Sequence, residues 1–138
     1  MTLTRRETLG LGIGAAALLA LPRAASAAVD DAIAEFTGGA SMGTSGIDLS
    51  TPEIAENGNT VPVEVSAPGA TAIMLLATGN PTPKVATIKF GKLAGAQDAS
   101  TRIRLAGTQD VMAIAQLADG SFVQASNTVK VTIGGCGG

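Results

Sequence analysis

Between residues 61 and 133, apolar and polar positions alternate in short runs. Val61, Val63 and Val65 fall on one side of the first run, with Glu64 and Ser66 on the other. Ile88 and Phe90 oppose Lys89, Ile103 and Leu105 oppose Arg102 and Arg104, and Val129, Val131 and Ile133 oppose Lys130 and Thr132. A period of two with one polar face marks strands of an antiparallel sheet that is wet on one side. Turn signals separate the runs: Asn57-Gly58, Pro68-Gly69, Gly79-Asn80-Pro81, Gly91, Gly107 and Asp119-Gly120. The stretch from Leu117 to Phe122 predicts a hairpin, because Asp119-Gly120 readily takes the positive φ values a tight turn demands. Residues 47–49 add a candidate first strand. Residues 30–37, with Ile33 and Phe36 three apart and Gly38-Gly39 as a stop, predict a short N-terminal helical segment. Taken together, residues 28–133 predict an all-β fold, an immunoglobulin-like antiparallel β-sandwich of about seven strands.

Two runs break the alternation. Residues 72–77 read Ala-Ile-Met-Leu-Leu-Ala and residues 111–115 read Val-Met-Ala-Ile-Ala, apolar on both faces. In a two-layer sandwich one face of each strand points outward, and an apolar outward face must be covered. Two covers fit: the N-terminal segment through Ile33 and Phe36, or a permanently docked partner subunit. If Ile73, Leu75, Val111 and Ala113 point inward, then Met74, Leu76, Met112 and Ile114 are the candidate partner contacts.

Composition narrows the chemistry. The 138 residues include one Cys and no His, Trp or Tyr. Without His there is no Ser-His-Asp or Cys-His catalysis and no imidazole metal ligand. One Cys makes neither an internal disulfide nor a Cys-rich metal site. A formal charge of −2 argues against non-specific nucleic-acid binding.

The first 27 residues read as an address. Arg5-Arg6 precede a weakly apolar Gly/Ala-rich run, residues 9–21, which is too short to span a bilayer core needing roughly 20 residues. Arg23 and Ala24-Ala25-Ser26-Ala27 then form a small-residue cleavage signal. The pattern resembles a twin-arginine export signal, with Thr8 and Gly10 departing from the usual motif. The Gly10-Leu11-Gly12-Ile13-Gly14 run follows no strand and so is no nucleotide loop. Cleavage after Ala27 leaves a mature chain with six bases and ten acids, net −4, and no membrane segment. Its charge is segregated: residues 28–64 carry seven acids and no base, and residues 84–104 carry five bases against Asp98. Solvated strand faces account for this, as does a basic stripe for anions or acidic partners.

The chain ends Gly134-Gly135-Cys136-Gly137-Gly138. A lone Cys is ordinarily a small buried hydrophobe, but four flanking glycines bring no side chain to anchor it and resist ordering. The expectation is a flexible arm with an exposed thiol, and an unpaired thiol in an exported protein asks for a purpose. Three extended residues beyond Ile133 carry the sulfur about 10 Å past the sheet. A glycine arm has minimal width and fits a narrow cleft, which is the build of a substrate carrier. The nearest base in sequence is Lys130, and the terminal carboxylate disfavours a thiolate. Activation of Cys136 therefore falls to whatever enzyme receives it. Prenylation needs Cys fourth from the end, and here it is third. A different class of function, an exported structural module dimerising through a Cys136 disulfide, is also compatible with these residues.

The export-type signal, the run Pro52-Glu53-Ile54-Ala55-Glu56-Asn57-Gly58 leading into Val61-Pro62-Val63, and the terminal Gly-Gly-Cys-Gly-Gly together resemble the SoxY family, the sulfur carriers of the periplasmic thiosulfate-oxidising Sox system. The resemblance implies a non-catalytic periplasmic carrier that holds thiosulfate-derived sulfur covalently on Cys136, with Gly134, Gly135, Gly137 and Gly138 as the carrier arm. It implies a heterodimer with a SoxZ-like subunit that holds no cofactor. It further implies transient partners: a haem-containing SoxXA that couples thiosulfate to the thiol, a manganese hydrolase SoxB that releases sulfate, and a sulfur dehydrogenase that oxidises the remaining sulfane sulfur.

Overall fold

The computed structural model describes residues 24–134. The expected export signal up to Arg23, and Gly135, Cys136, Gly137 and Gly138, lie outside the described residues. Within them, one helix, α1 (Ala24–Thr37), precedes nine strands: β1 (Met42–Gly43), β2 (Asp48–Ser50), β3 (Ile54–Ala55), β4 (Val61–Ser66), β5 (Ala70–Ala77), β6 (Lys84–Lys89), β7 (Asp98–Ile103), β8 (Gln109–Leu117) and β9 (Phe122–Val131). They form two sheets. The larger runs β1-β9-β8-β5-β6 with β3 also on β9, and the smaller runs β2-β4-β7. The chain changes sheet at each connection from β1 to β5, and again from β6 to β7 and from β7 to β8. The result is a mostly β, two-sheet sandwich with one N-terminal helix.

The alternating runs sit as their periodicity demands. Val61, Val63 and Val65 are buried while Pro62 and Glu64 are exposed, and Ile103 and Leu105 are buried between exposed Arg102 and Arg104. The hairpin forms between β8 and β9, with Gly120 at φ 86° and Leu117 N–H donating to the Ser121 carbonyl at 2.8 Å. Seven strands are three residues or longer. The other two, β1 and β3, are two-residue strands that pair parallel with β9, so the larger sheet is not purely antiparallel. Such short pairings have no periodicity to read. The last strand ends at Val131 rather than Ile133, and Ile133 is exposed instead of continuing the inward face of Val129.

The helix begins at Ala24, six residues before the expected segment, because Ala24, Ala25, Ala27 and Ala28 favour helix and cost little side-chain entropy. It ends where Gly38 and Gly39 take φ of 65° and 84°, the left-handed conformation that closes helices. The Thr37 hydroxyl donates back to the Ile33 carbonyl at 2.8 Å.

The core has two parts. Between the sheets lie Val61, Val63, Val65, Ile73, Leu75, Leu105, Val111, Ala113 and Val129. On the outer face of the larger sheet, Met74, Leu76, Ile114 and Phe122 are buried with Ala32 of α1, and Ile33, Phe36, Met42 and Met112 pack around them. The Phe36 ring meets Phe122 edge-on, with centroids 5.7 Å apart and planes at 70°. This corrects one expectation. The inward set is Ile73, Leu75, Val111 and Ala113 as the pattern required, but the outward set is not a partner surface. Met74, Leu76 and Ile114 are fully buried beneath the chain's own helix, and Met112 is half-buried at its rim. Ala32, Ile33 and Phe36 form the stripe of α1 that packs on the apolar stripe of the sheet.

Candidate functional site

The sole cysteine of the sequence lies in the tail, and the tail is rooted where the body releases the chain after β9. Beyond Val131 the chain leaves the ladder but stays tethered. On one side, the segment 53–58 runs beside it: Lys130 N–H donates to Glu53 O at 2.9 Å, Thr132 N–H to Ala55 O at 3.1 Å, and Gly58 N–H to Ile133 O at 2.8 Å. The Thr132 hydroxyl adds a bond to Glu56 O at 3.1 Å. This is the run Pro52–Gly58 of the sequence resemblance, and in the fold it flanks residues 130–133, which lead into the arm.

On the other side lies the connection from β7 to β8. Val131 N–H donates to the Thr108 hydroxyl at 3.0 Å, and Leu105 N–H donates to Gly58 O at 2.7 Å. Gly58 thus bridges Ile133 and Leu105. Gly134 then rests against Ala106, so closely that a Cβ on residue 134 would stand 2.5 Å from the Ala106 carbonyl oxygen. Glycine is required here for close approach, since real Cβ atoms do not come so near an oxygen. Ile133 points outward, 68% exposed, beside the root.

The chain from Val131 to Gly134, the root of the arm, therefore lies at one end of the sandwich between residues 55–58 and residues 104–108. Of the five arm residues, Gly134 is placed there; Cys136, Gly135, Gly137 and Gly138 lie beyond the described residues. Two amides that the sequence reading did not single out for a role, Asn80 and Gln109, brace the 104–108 side. In the sequence Asn80 is part of the Gly79-Asn80-Pro81 turn signal, and no spacing marks either amide as buried.

Other candidate chemistry is sparse. Among the described residues no group of three His, Cys, Asp or Glu side chains could hold a metal ion, and no helix is long and apolar enough to cross a membrane. A shallow depression of about 300 Å³ on the smaller sheet is lined by Asp48, Glu64 and Asp98 with intervening serines. The register pairs Val61 with Ile103 at the arm end of that sheet and Ser66 with Asp98 at the other, so the depression lies at the end away from the arm. Lys84, Lys89 and Arg102 fall on β6 and β7, which end their respective sheets. Charges on edge strands discourage unwanted pairing, which gives the basic run a structural use.

Residues 33–136 match the family model described as sulfur oxidation protein SoxY, a match that reaches the arm cysteine. Among solved structures, the chain is similar to the sulfur carrier protein SoxY from Chlorobium limicola f thiosulfatophilum, with 36% identity and a TM-score of 0.64 over 78% of this chain and 99% of that one. It also shares its fold with a superoxide reductase (neelaredoxin) from Ignicoccus hospitalis, at 19% identity and a TM-score of 0.55 over 64% of this chain and 81% of that one. No curated protein matches the sequence.

Proposed function

The chain belongs to the SoxY family of sulfur carrier proteins of sulfur oxidation, and on that premise we propose that it holds thiosulfate-derived sulfur covalently on Cys136 and presents it in the periplasm to the Sox enzymes. One observation carries the reading. The sole cysteine follows, by two residues, a glycine seated at the edge of a body that offers no second thiol and no imidazole. The body is a mount, and the tail is the working part.

The chemistry on the arm is redox-balanced only with outside help. Loading joins the sulfane sulfur of thiosulfate to the Cys136 sulfur, giving Cys136–S–S–SO3−. It releases one proton from the thiol and two electrons, which a haem-containing SoxXA accepts. Hydrolysis by SoxB then breaks the S–SO3 bond with one water, leaving Cys136–S–S− and releasing sulfate and two protons. A sulfur dehydrogenase then withdraws six electrons from the outer sulfur while three waters supply oxygen and six protons leave, giving Cys136–S–SO3−, and a second hydrolysis with one water releases sulfate and one proton and restores the thiol. In each step this chain contributes the sulfur atom and its placement, while acid, base and oxidant come from the receiving enzyme.

The same reading includes export through the twin-arginine-type signal at residues 1–27 and a heterodimer with a SoxZ-like subunit. The strand order β2-β4-β7 facing β9-β8-β5-β6, with the chain crossing between the sheets, supports describing the sandwich as immunoglobulin-like. The test is direct: incubate the carrier with thiosulfate and the partner enzymes and weigh the C-terminal peptide. Added mass on wild type and none on Cys136→Ser is expected. An equal adduct on Cys136→Ser would refute the reading, and a Cys136-linked dimer as the sole functional form would favour the structural-module alternative.

A further inference from the structure

Three polar side chains are buried among the described residues: Thr37, Asn80 and Gln109. Thr37 ends α1, but Asn80 and Gln109 form one network beside the arm. Asn80 comes from the β5–β6 connection and Gln109 opens β8. Asn80 Nδ2 donates to the Arg104 carbonyl at 2.7 Å, and Ala106 N–H donates to Asn80 Oδ1 at 2.9 Å. Gln109 Nε2 donates to the same Asn80 Oδ1 at 2.8 Å and to the Gly107 carbonyl at 3.1 Å. Gly79 N–H completes the network by donating to Gln109 Oε1 at 2.9 Å. A Cβ on residue 79 would stand 2.9 Å from the Gln109 Cβ, so glycine there lets Gln109 approach.

The network's target is the 104–107 segment, whose backbone groups the two amides take as partners on both sides of Ala106. Ala106 is the residue against which Gly134 rests. Satisfied buried amides contribute modest net stability but select one geometry strongly, because any displacement leaves a desolvated group unpaired. An apolar pair would fill the space as well without fixing the backbone.

We propose that Asn80 and Gln109 are positioning residues of the carrier arm: they hold residues 104–107 as a rigid seat for Gly134, and the seat sets the direction in which Cys136 leaves the fold. The seat fixes the chain as far as Gly134, so a thiol two residues further on lies within about 7 Å of a fixed point rather than about 10 Å of Ile133. A narrower arc concentrates the thiol in front of a docked enzyme, where orientation counts towards reaction. The purpose assigned to the seat rests on the carrier reading, whereas the seat itself is measured without it.

A nitroxide on Cys136, the sole cysteine of the full chain, reports the arc through paramagnetic broadening of backbone amide signals. In wild type the broadening concentrates on residues 56–60 and 104–108. Asn80→Ala and Gln109→Ala lose that concentration and spread it around the end of the sandwich, while Ile114→Ala, a destabilising change beneath α1, keeps the wild-type pattern. Gly134→Ala, an exposed change that touches no core side chain, displaces the arm from Ala106 and also spreads the broadening, so the test survives if the amide variants fold poorly. An unchanged pattern in folded Gln109→Ala and in Gly134→Ala, or the same spreading in Ile114→Ala, would overturn the proposal. With a receiving enzyme, Gln109→Ala should raise KM for the carrier and leave kcat unchanged. A loss of kcat alone would also count against it. If the broadening behaves as stated but no sulfur loads, the seat stands and the carrier reading fails.

Discussion

Phe36→Ala isolates the question of what covers the outer face of the larger sheet. The Phe36 ring is half-buried and packs edge-on against Phe122 at 5.7 Å. Removing a fully buried Phe costs about 3–5 kcal/mol, and half-burial brings this to roughly 2 kcal/mol. Loss of the edge-to-face pair adds about 0.5–1.5 kcal/mol. The isolated chain should therefore lose about 2.5–3.5 kcal/mol, which for a domain near 100 residues lowers Tm by on the order of 10–20 °C. Urea and thermal unfolding of the purified chain, with no partner present, measure it. The absence of a partner is the point: α1 belongs to this chain, so the cost must be visible without any second subunit. A double-mutant cycle with Phe122→Leu should show coupling, because the two rings touch. A change below about 0.5 kcal/mol, the size of a surface substitution, would refute the reasoning and return the face to an external partner. Ala32, Ile33 and Phe36 all follow Ala27, so removal of residues 1–27 leaves the cover in place.

Three further outcomes are expected. Met74→Asp should unfold or severely destabilise the isolated chain, by about 3–5 kcal/mol for an unpaired buried charge; a circular-dichroism melt unchanged from wild type would contradict the burial of Met74 beneath α1. The Asp119 carboxyl is held below the ordinary range first by the Ser121 hydroxyl, which donates to it at 2.6 Å, and then by Ser121 N–H. A depressed folded-state pKa adds stability while pH stays above the unfolded Asp range and loses it as pH falls through the folded value. NMR titration should find Asp119 moved back towards the ordinary value in Ser121→Ala, and no movement would refute the cause. Gly135→Val or Gly137→Val should leave Tm unchanged and slow sulfur loading, measured by mass against time, and wild-type loading would remove width and freedom from the account of the arm.

Much of this architecture was legible because burial in a sandwich writes itself as a period of two. Val61, Val63 and Val65, the Asp119-Gly120 hairpin, and the inward set Ile73, Leu75, Val111 and Ala113 all followed from that rule. The apolar outward set announced that something must cover it, but periodicity says only that a face is covered. The choice of α1 depends on where Ile33 and Phe36 arrive in space. β1 and β3 were missed because two residues carry no period, and their partner β9 is distant in sequence. For the site, the arm was readable because four glycines around one cysteine are unusual chemistry at a chain end. Its mount was not. Asn80 and Gln109 are ordinary polar residues near turns, and their burial comes from the folding of the β5–β6 and β7–β8 connections onto each other. Gly134 reads as one more arm glycine until its distance to Ala106 is known.

The central claim is that Cys136 carries sulfur covalently. The most direct measurement is the intact mass of the protein purified from its own host grown on thiosulfate, taken before and after reduction. The account predicts sulfur adducts that localise to the peptide containing Cys136 and disappear on reduction. A single unmodified mass before and after reduction, or adducts that persist elsewhere in the chain, would contradict it.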